Sequence, residues 1–258
     1  MQMMRLSKIW AVLIIASLFF LIANAPAYLL KPYLTNSLNF PFNVNGTIWQ
    51  GSASSKHFQK LSWHVDPLYL LTGRLFSQIS IIIDRENQIN ANATINLGKT
   101  LELNNINGVL TTQYLQQFSP KTPLLFQSIL YIDQANARWN NALPPKLPLI
   151  AEGELVAEKV NLLGEKLGSY RFNYSYSNNT FEGSITSRED SSVDTNLILH
   201  ISPQNVLTIQ GDVLPKSKTL KDIFKELNIA SNPNIKMQLP SLQEAKLIYI
   251  NELGTEKY

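Results

Sequence analysis

A chain of 258 residues, 45% hydrophobic and only 16% charged, can hold one large or two small domains with a real core. The absence of cysteine excludes disulfide scaffolds, thiol catalysis and cysteine-based metal sites. Of the 22 Lys and Arg, Arg5 and Lys8 precede an uncharged segment, leaving 20 against 19 Asp and Glu in the rest; with no basic cluster, neither a nucleic-acid interface nor an anionic partner is indicated.

Ile9 to Leu30 form 22 consecutive positions without a charge. As a helix they would reach about 33 Å, enough to cross a hydrocarbon core of about 30 Å. Twelve of the 22 are Leu, Ile, Val or Phe. Insertion is then favoured by about −4 to −7 kcal/mol, an upper bound that Ser17, Asn24 and Pro26 reduce. Ala23-Asn24-Ala25 has the small-x-small form of a signal-peptide cleavage site, but Pro26 would stand directly after the cut and Tyr28-Leu29-Leu30 continue the apolar run. The segment 9–30 therefore reads as a retained transmembrane helix. Positive residues on its short side place residues 1–8 in the cytoplasm and 31–258 outside it.

Beyond Lys31 no stretch approaches membrane length, and the pattern is mostly of period two, the sign of strands with one wet face. Val44 to Gly51 reads as a short strand punctuated by glycine, with a turn at Asn45-Gly46; Trp49 and Trp63 are expected in short strands, packed in a core. Asp66-Pro67-Leu68-Tyr69-Leu70-Leu71 opens with a capping residue and Pro at the first helical position, and stops at Gly73. Ser80 to Ile83 is dense enough for a strand covered on both faces. Turn formers follow at Asn87-Gln88 and Leu97-Gly98, and alternation resumes in Leu101 to Asn104. Gln113 to Phe118 suggests a turn of helix. Asn140 to Pro148, with prolines at 144, 145 and 148, reads as a linker between possible halves 40–140 and 146–258. In the second half Leu149 to Gly153, Phe172 to Ser177 and Val206 to Gly211 read as strands. Asn178-Asn179 and Ser202-Pro203 read as turns. Leu220, Ile223, Phe224 and Leu227 form an apolar helical stripe. The expected fold is mainly β with few short helices, in antiparallel curved sheet or sheets, plus the N-terminal transmembrane helix.

The residues that carry chemistry are sparse. His57, His64 and His200 lack a second ligand at metal spacing, and neither H-E-x-x-H nor G-x-S-x-G occurs. Ala93 to Thr100 fits a relaxed phosphate-loop expression, but strand alternation enters it at Ile95 and Leu97 and leaves it at Leu101 and Leu103. A phosphate cradle needs a glycine-rich turn from strand into helix, so this is a hairpin. Glu189-Asp190 read as a solvated turn, and Glu152 and Glu154 as one exposed strand face. No catalytic, cofactor-binding or metal-binding residue is assigned, no cofactor or nucleotide is expected, and the chain reads as non-enzymatic.

Val44-Asn45-Gly46-Thr47-Ile48-Trp49-Gln50-Gly51 soon after the N-terminal segment, Leu61-Ser62-Trp63, and Asp66 to Leu75 resemble the general secretion pathway protein N family, the N subunits of the type II secretion system. Ala25-Pro26-Ala27 and Gln204 to Gly211 look like that family as well. The resemblance implies an accessory or assembly subunit of the bacterial inner membrane. It supports export of folded periplasmic proteins across the outer membrane, and its partners are other inner-membrane subunits of the apparatus. The Gly-punctuated strands also resemble AsmA-like periplasmic proteins. The alternative is then a membrane-anchored lipid-binding or lipid-transfer protein whose open groove is lined by Ile81, Ile83, Phe172, Tyr174 and Tyr176.

Overall fold

Residues that alternate between ring or aliphatic side chains and small polar ones bury one face of a strand and wet the other. In the computed structural model this is the rule over most of the residues it describes: 17, 20–32, 41–56, 58–96, 98–116, 126–140, 148–162, 164–226 and 233–238. Phe172, Tyr174 and Tyr176 are half-buried while Arg171, Asn173, Ser175 and Ser177 between them are exposed. The fold is mainly β and antiparallel, with few short helices.

The chain divides into two compact units, Met1–Leu103 and Asn104–Tyr258. In the first, β1 (Asn43–Gly46), β2 (Gln50–Ser55), β3 (Phe58–Asp66), β4 (Arg74–Ile82) and β5 (Gln88–Asn96) lie in sequence order. Each is antiparallel to the next, with Gly51 opposite Trp63, Trp63 opposite Ile79 and Ser77 opposite Ala93. Strand β6 (Thr100–Thr111) leaves the first unit and enters the second. There β7 (Phe126–Asn140), β8 (Ile150–Leu162), β9 (Glu165–Ser177), β10 (Thr180–Ser187), β11 (Val193–Ile201), β12 (Val206–Pro215) and β13 (Asn234–Gln238) again follow chain order.

Long strands of the second unit carry bulges. Asn105 and Gln134 both adopt positive φ, at 51° and 49°. Across them the Asn105 N–H donates to Asn136 Oδ1 and the Gln134 N–H to Asn107 Oδ1, each at 3.0 Å. Side-chain amides thus replace ladder bonds where the strands bend. Gly168, at φ +92°, admits the loop that precedes β11: a Cβ there would lie within 2.6 Å of Ser191 Cα. With that approach open, Ser169 Oγ donates to Asp190 Oδ2 at 2.7 Å and the Ser192 N–H to Leu167 O at 2.8 Å.

The second unit's core gathers here. Val160, Leu167 and Val193 meet Leu220 and Phe224 from the helix Lys218–Glu226. Ile223 packs beside them, as the predicted stripe requires; Leu227 lies outside the described residues. The other short helix, Thr112–Gln116, overlaps the predicted Gln113–Phe118, whose last two residues also lie outside. So do residues 141–147 of the Pro-rich stretch.

Of the predicted membrane span, residues 9–16, 18 and 19 lie outside the described residues. No helix among the described residues is long and apolar enough to cross a membrane. Phe20–Ala23 are helical, and the Asn24 N–H donates to Phe20 O at 3.0 Å. The helix expected to continue to Leu30 stops there. Pro26 is extended at φ −72° and ψ 142°, and Ala27–Leu30 form a separate 3-10 turn. Proline supplies no N–H and drives the residue before it out of helical geometry.

Two outcomes test this packing. Phe224→Ala removes a ring that is 7% exposed and should cost about 3–5 kcal/mol, read as a lower denaturant midpoint. Burial pushes the Tyr170 hydroxyl up to about 12, while its O–H donates to Leu167 O at 3.1 Å. Because the folded value lies above the unfolded one, this stabilisation is intact below pH about 10 and is lost as pH rises towards 12. Alkaline unfolding should be less steep in that window for Tyr170→Phe.

Candidate functional site

The connection between β1 and β2 is built from residues that each have one local task. Gly46, at φ +92°, turns the chain; a Cβ there would meet Gln50 O at 2.6 Å. The Thr47 N–H donates to Gln50 O at 2.8 Å, and the Gln50 N–H returns to Thr47 Oγ1 at 3.0 Å. Trp63, on β3, lays its ring over Gly51, where a Cβ would meet Cε2 at 2.9 Å. Its indole N–H reaches Ile48 O at 3.2 Å and Thr47 O at 3.3 Å. The turn is therefore clamped from inside by a tryptophan that only glycine leaves room for.

Trp49 does not lie in a strand, contrary to expectation: it sits in the turn, half-buried. There its carbonyl accepts from the Val65 N–H at 2.6 Å. Its indole N–H donates to Ile22 O at 2.8 Å, across 27 residues. The neighbouring Ile48 N–H donates to Ala25 O at 2.9 Å, and Pro26 forms an antiparallel bridge with Thr47. Ala27 is fully buried beneath this contact, whereas Tyr28 and Leu29 stay exposed. The end of the apolar N-terminal segment is thus tied to the β1–β2 turn by an isolated antiparallel bridge and two flanking hydrogen bonds.

The chain leaves β3 through the Pro67–Thr72 turn, which is a 3-10 turn. Asp66 caps it as predicted, Oδ1 accepting from the Leu68 N–H at 2.9 Å, and Gly73 ends it in the left-handed region at φ 70°. Tyr69 stacks on Phe76 with centroids 4.9 Å apart. The arrangement is a mechanical joint between the N-terminal segment and the sheet.

The polar residues singled out in the sequence are scattered. His64 is exposed on β3 and His200 half-buried on β11, in different units, while His57 lies outside the described residues. Among the described residues no three His, Cys, Asp or Glu converge as a metal site. Glu189 is exposed in its loop, and its neighbour Asp190 accepts from Ser169. Glu154 pairs with Arg171 at 3.0 Å, and Glu152 lies two residues away on the same strand face. The segment Ala93 to Thr100 runs from β5 through a turn into β6, with Lys99 at φ 58° donating its N–H to Asn96 O. Strand follows strand, so no helix N-terminus is offered to phosphate. Leu97 lies outside the described residues. On the second unit Phe172, Tyr174 and Phe181 form one aromatic cluster, Tyr174 stacked on both rings and Phe172 tilted against Phe181; Ile81 and Ile83 of the first unit are half-buried. The long-range bond from Trp49 escaped sequence reasoning, because neither residue's local pattern refers to the other.

Compared with known protein families, residues 42–238 match the one described as type II secretion system (T2SS), protein N. That match spans both Trp residues of the joint. Neither the curated proteins nor the solved structures give a match.

Gly51→Ala tests the clamp. The added methyl has to displace the Trp63 ring or the backbone at Asn45 O, 2.7 Å away, so stability should fall by about 1–3 kcal/mol. Paired with Trp63→Leu, the double variant should lose less than the sum of the two singles in denaturant titrations.

Proposed function

Since the chain belongs to the type II secretion system protein N family, we propose that it serves that machine as a subunit held in the bacterial inner membrane. The family is a secretion accessory family, and a role in type II secretion comes with membership. In our reading residues 1–8 are cytoplasmic, the segment 9–30 holds the anchor with its last residues docked on the body, and residues 31–258 form a periplasmic β body. That body supports export of folded proteins by contacting other inner-membrane subunits of the apparatus.

One observation carries the proposal: the family match from 42 to 238 takes in, a few residues from its start, the β1–β2 turn onto which the N-terminal segment is docked. A body that binds its own anchor this way inherits a defined orientation, which suits a part that must meet neighbours in an assembly. Broad strand faces rich in Ser, Thr and Asn offer hydrogen-bonding surface rather than a closed substrate cleft. No specific observation favours the lipid-trough alternative, since Phe172, Tyr174 and Phe181 cover one another.

The cysteine-free chain makes the test direct. A single Ser177→Cys, at an exposed end of β9, should react with a membrane-impermeant maleimide once the outer membrane is opened. The chain should stay with the membrane through an alkaline wash, and crosslinkers at exposed strand positions should capture secretion subunits. Release by the wash, or labelling only after the inner membrane is broken, would contradict the proposed placement.

A further inference from the structure

The turn between β3 and β4 leaves four consecutive apolar side chains in solvent: Leu68, Tyr69, Leu70 and Leu71. Leu68 is 69% exposed and Leu71 86%. Single exposed leucines are ordinary on a protein surface, but an unbroken run of four at the tip of a connection is not. The turn is held in this shape rather than left loose. Asp66 caps its start, Gly73 closes its end, Thr72 Oγ1 donates to Tyr69 O at 2.8 Å, and Phe76 supports the Tyr69 ring. With about three residues per turn, 3-10 geometry points successive side chains in three directions. One face alone therefore cannot hide them.

Its position is fixed by bonds already described. Ile22 O accepts from Trp49, Trp49 O accepts from Val65, and Val65 stands two residues before Pro67. The turn and the end of the apolar N-terminal segment therefore share one end of the first unit, where Phe20, Leu21, Ile22, Tyr28 and Leu29 are also exposed. Lys31, Arg74 and Lys99 carry positive charge at this end, while Asp66 is engaged as the cap and Glu102 follows three residues after Lys99. The opposite end is different in kind: its β4–β5 turn is Asp84-Arg85-Glu86-Asn87, charged and without an apolar tip.

We propose that the Pro67–Thr72 turn is a second membrane contact. Leu68 to Leu71 enter the boundary between headgroups and acyl chains of the leaflet from which the N-terminal segment emerges. Tyr28 and Tyr69 lie at headgroup depth, where amphipathic rings are favoured, and Lys31, Arg74 and Lys99 face anionic headgroups. This rests on reading residues 9–30 as a bilayer anchor. A lone helix would let the body swivel about its exit point. Two contacts joined through the hydrogen bonds of Trp49 set its height and tilt above the membrane.

The full chain, reconstituted in phosphatidylcholine–phosphatidylglycerol vesicles, tests this with an environment-sensitive fluorophore on one introduced cysteine. The sites are Leu71→Cys, Leu68→Cys, Leu21→Cys in the N-terminal segment, and Lys56→Cys at the opposite end. Lipids carrying a nitroxide high on the acyl chain should quench the label at 71, 68 and 21, with a blue-shifted emission, and leave 56 unaffected. Omitting phosphatidylglycerol should weaken quenching at 71 and 68 but not at 21. Quenching at 21 with none at 71 and 68 overturns the second contact while the anchor stands. Absence of quenching at all four overturns the anchor and this proposal with it. An unquenched label at 71 whose cysteine crosslinks to another secretion subunit in cells assigns the turn to a protein partner instead.

Discussion

The hydrogen bond from the Trp49 indole N–H to Ile22 O is the contact on which the rest of the first unit's arrangement depends. A polar N–H on a large apolar ring has few places to go in a turn at the edge of a sheet, and an unmet donor costs more than a met one returns. By reaching back 27 residues it ties an otherwise separate segment to the body. The turn that presents it is held in turn by Trp63, whose ring occupies the space left by Gly51. Two tryptophans and two glycines thus form one unit: removing the room at Gly51 moves Trp63, and moving Trp63 releases the carbonyls of Thr47 and Ile48.

The second unit solves a different problem with the same backbone. Long antiparallel strands bend only where a residue is added or a ladder bond is replaced. Here asparagine side chains at 107 and 136 take over bonds that the backbone gives up at Asn105 and Gln134. Where Gly168 allows close approach, the loop before β11 lies against the sheet, and the helix Lys218–Glu226 buries Leu220 and Phe224 beside Val193. What results is a polar strand surface stiffened by a small apolar core.

Much of this was legible in the sequence wherever the cause is local. The capped turn at Asp66-Pro67, its stop at Gly73, the wet and dry faces of Phe172 to Ser177, and the left-handed turn at Asn178-Asn179 each follow from residues within a few positions. So does the rejection of Ala93 to Thr100 as a phosphate loop. The resemblance carried by Val44 to Leu75 named the family, and the match over 42–238 shows it. What stayed hidden depends on partners distant in sequence. Trp49 belongs to a turn rather than a strand because Ile22 and Val65 hold it there, and where the apolar run breaks at Pro26 its docking on Thr47 and Ile48 is not written in the local pattern. Hydropathy sees the run as continuous, since it weighs side chains and not the backbone donors they carry.

The joint has a direct chemical readout. Pro26 and Thr47 face each other in an antiparallel bridge, a separation that a disulfide can span, and no native thiol competes. Pro26→Cys with Thr47→Cys should close an intramolecular disulfide in living cells, visible as faster migration without reductant. Asn173→Cys with Ser184→Cys, paired across β9 and β10, reports whether the compartment is oxidising. Oxidation of the control pair while the 26–47 pair stays reduced would contradict the docked segment, and with it the orientation proposed for the whole body.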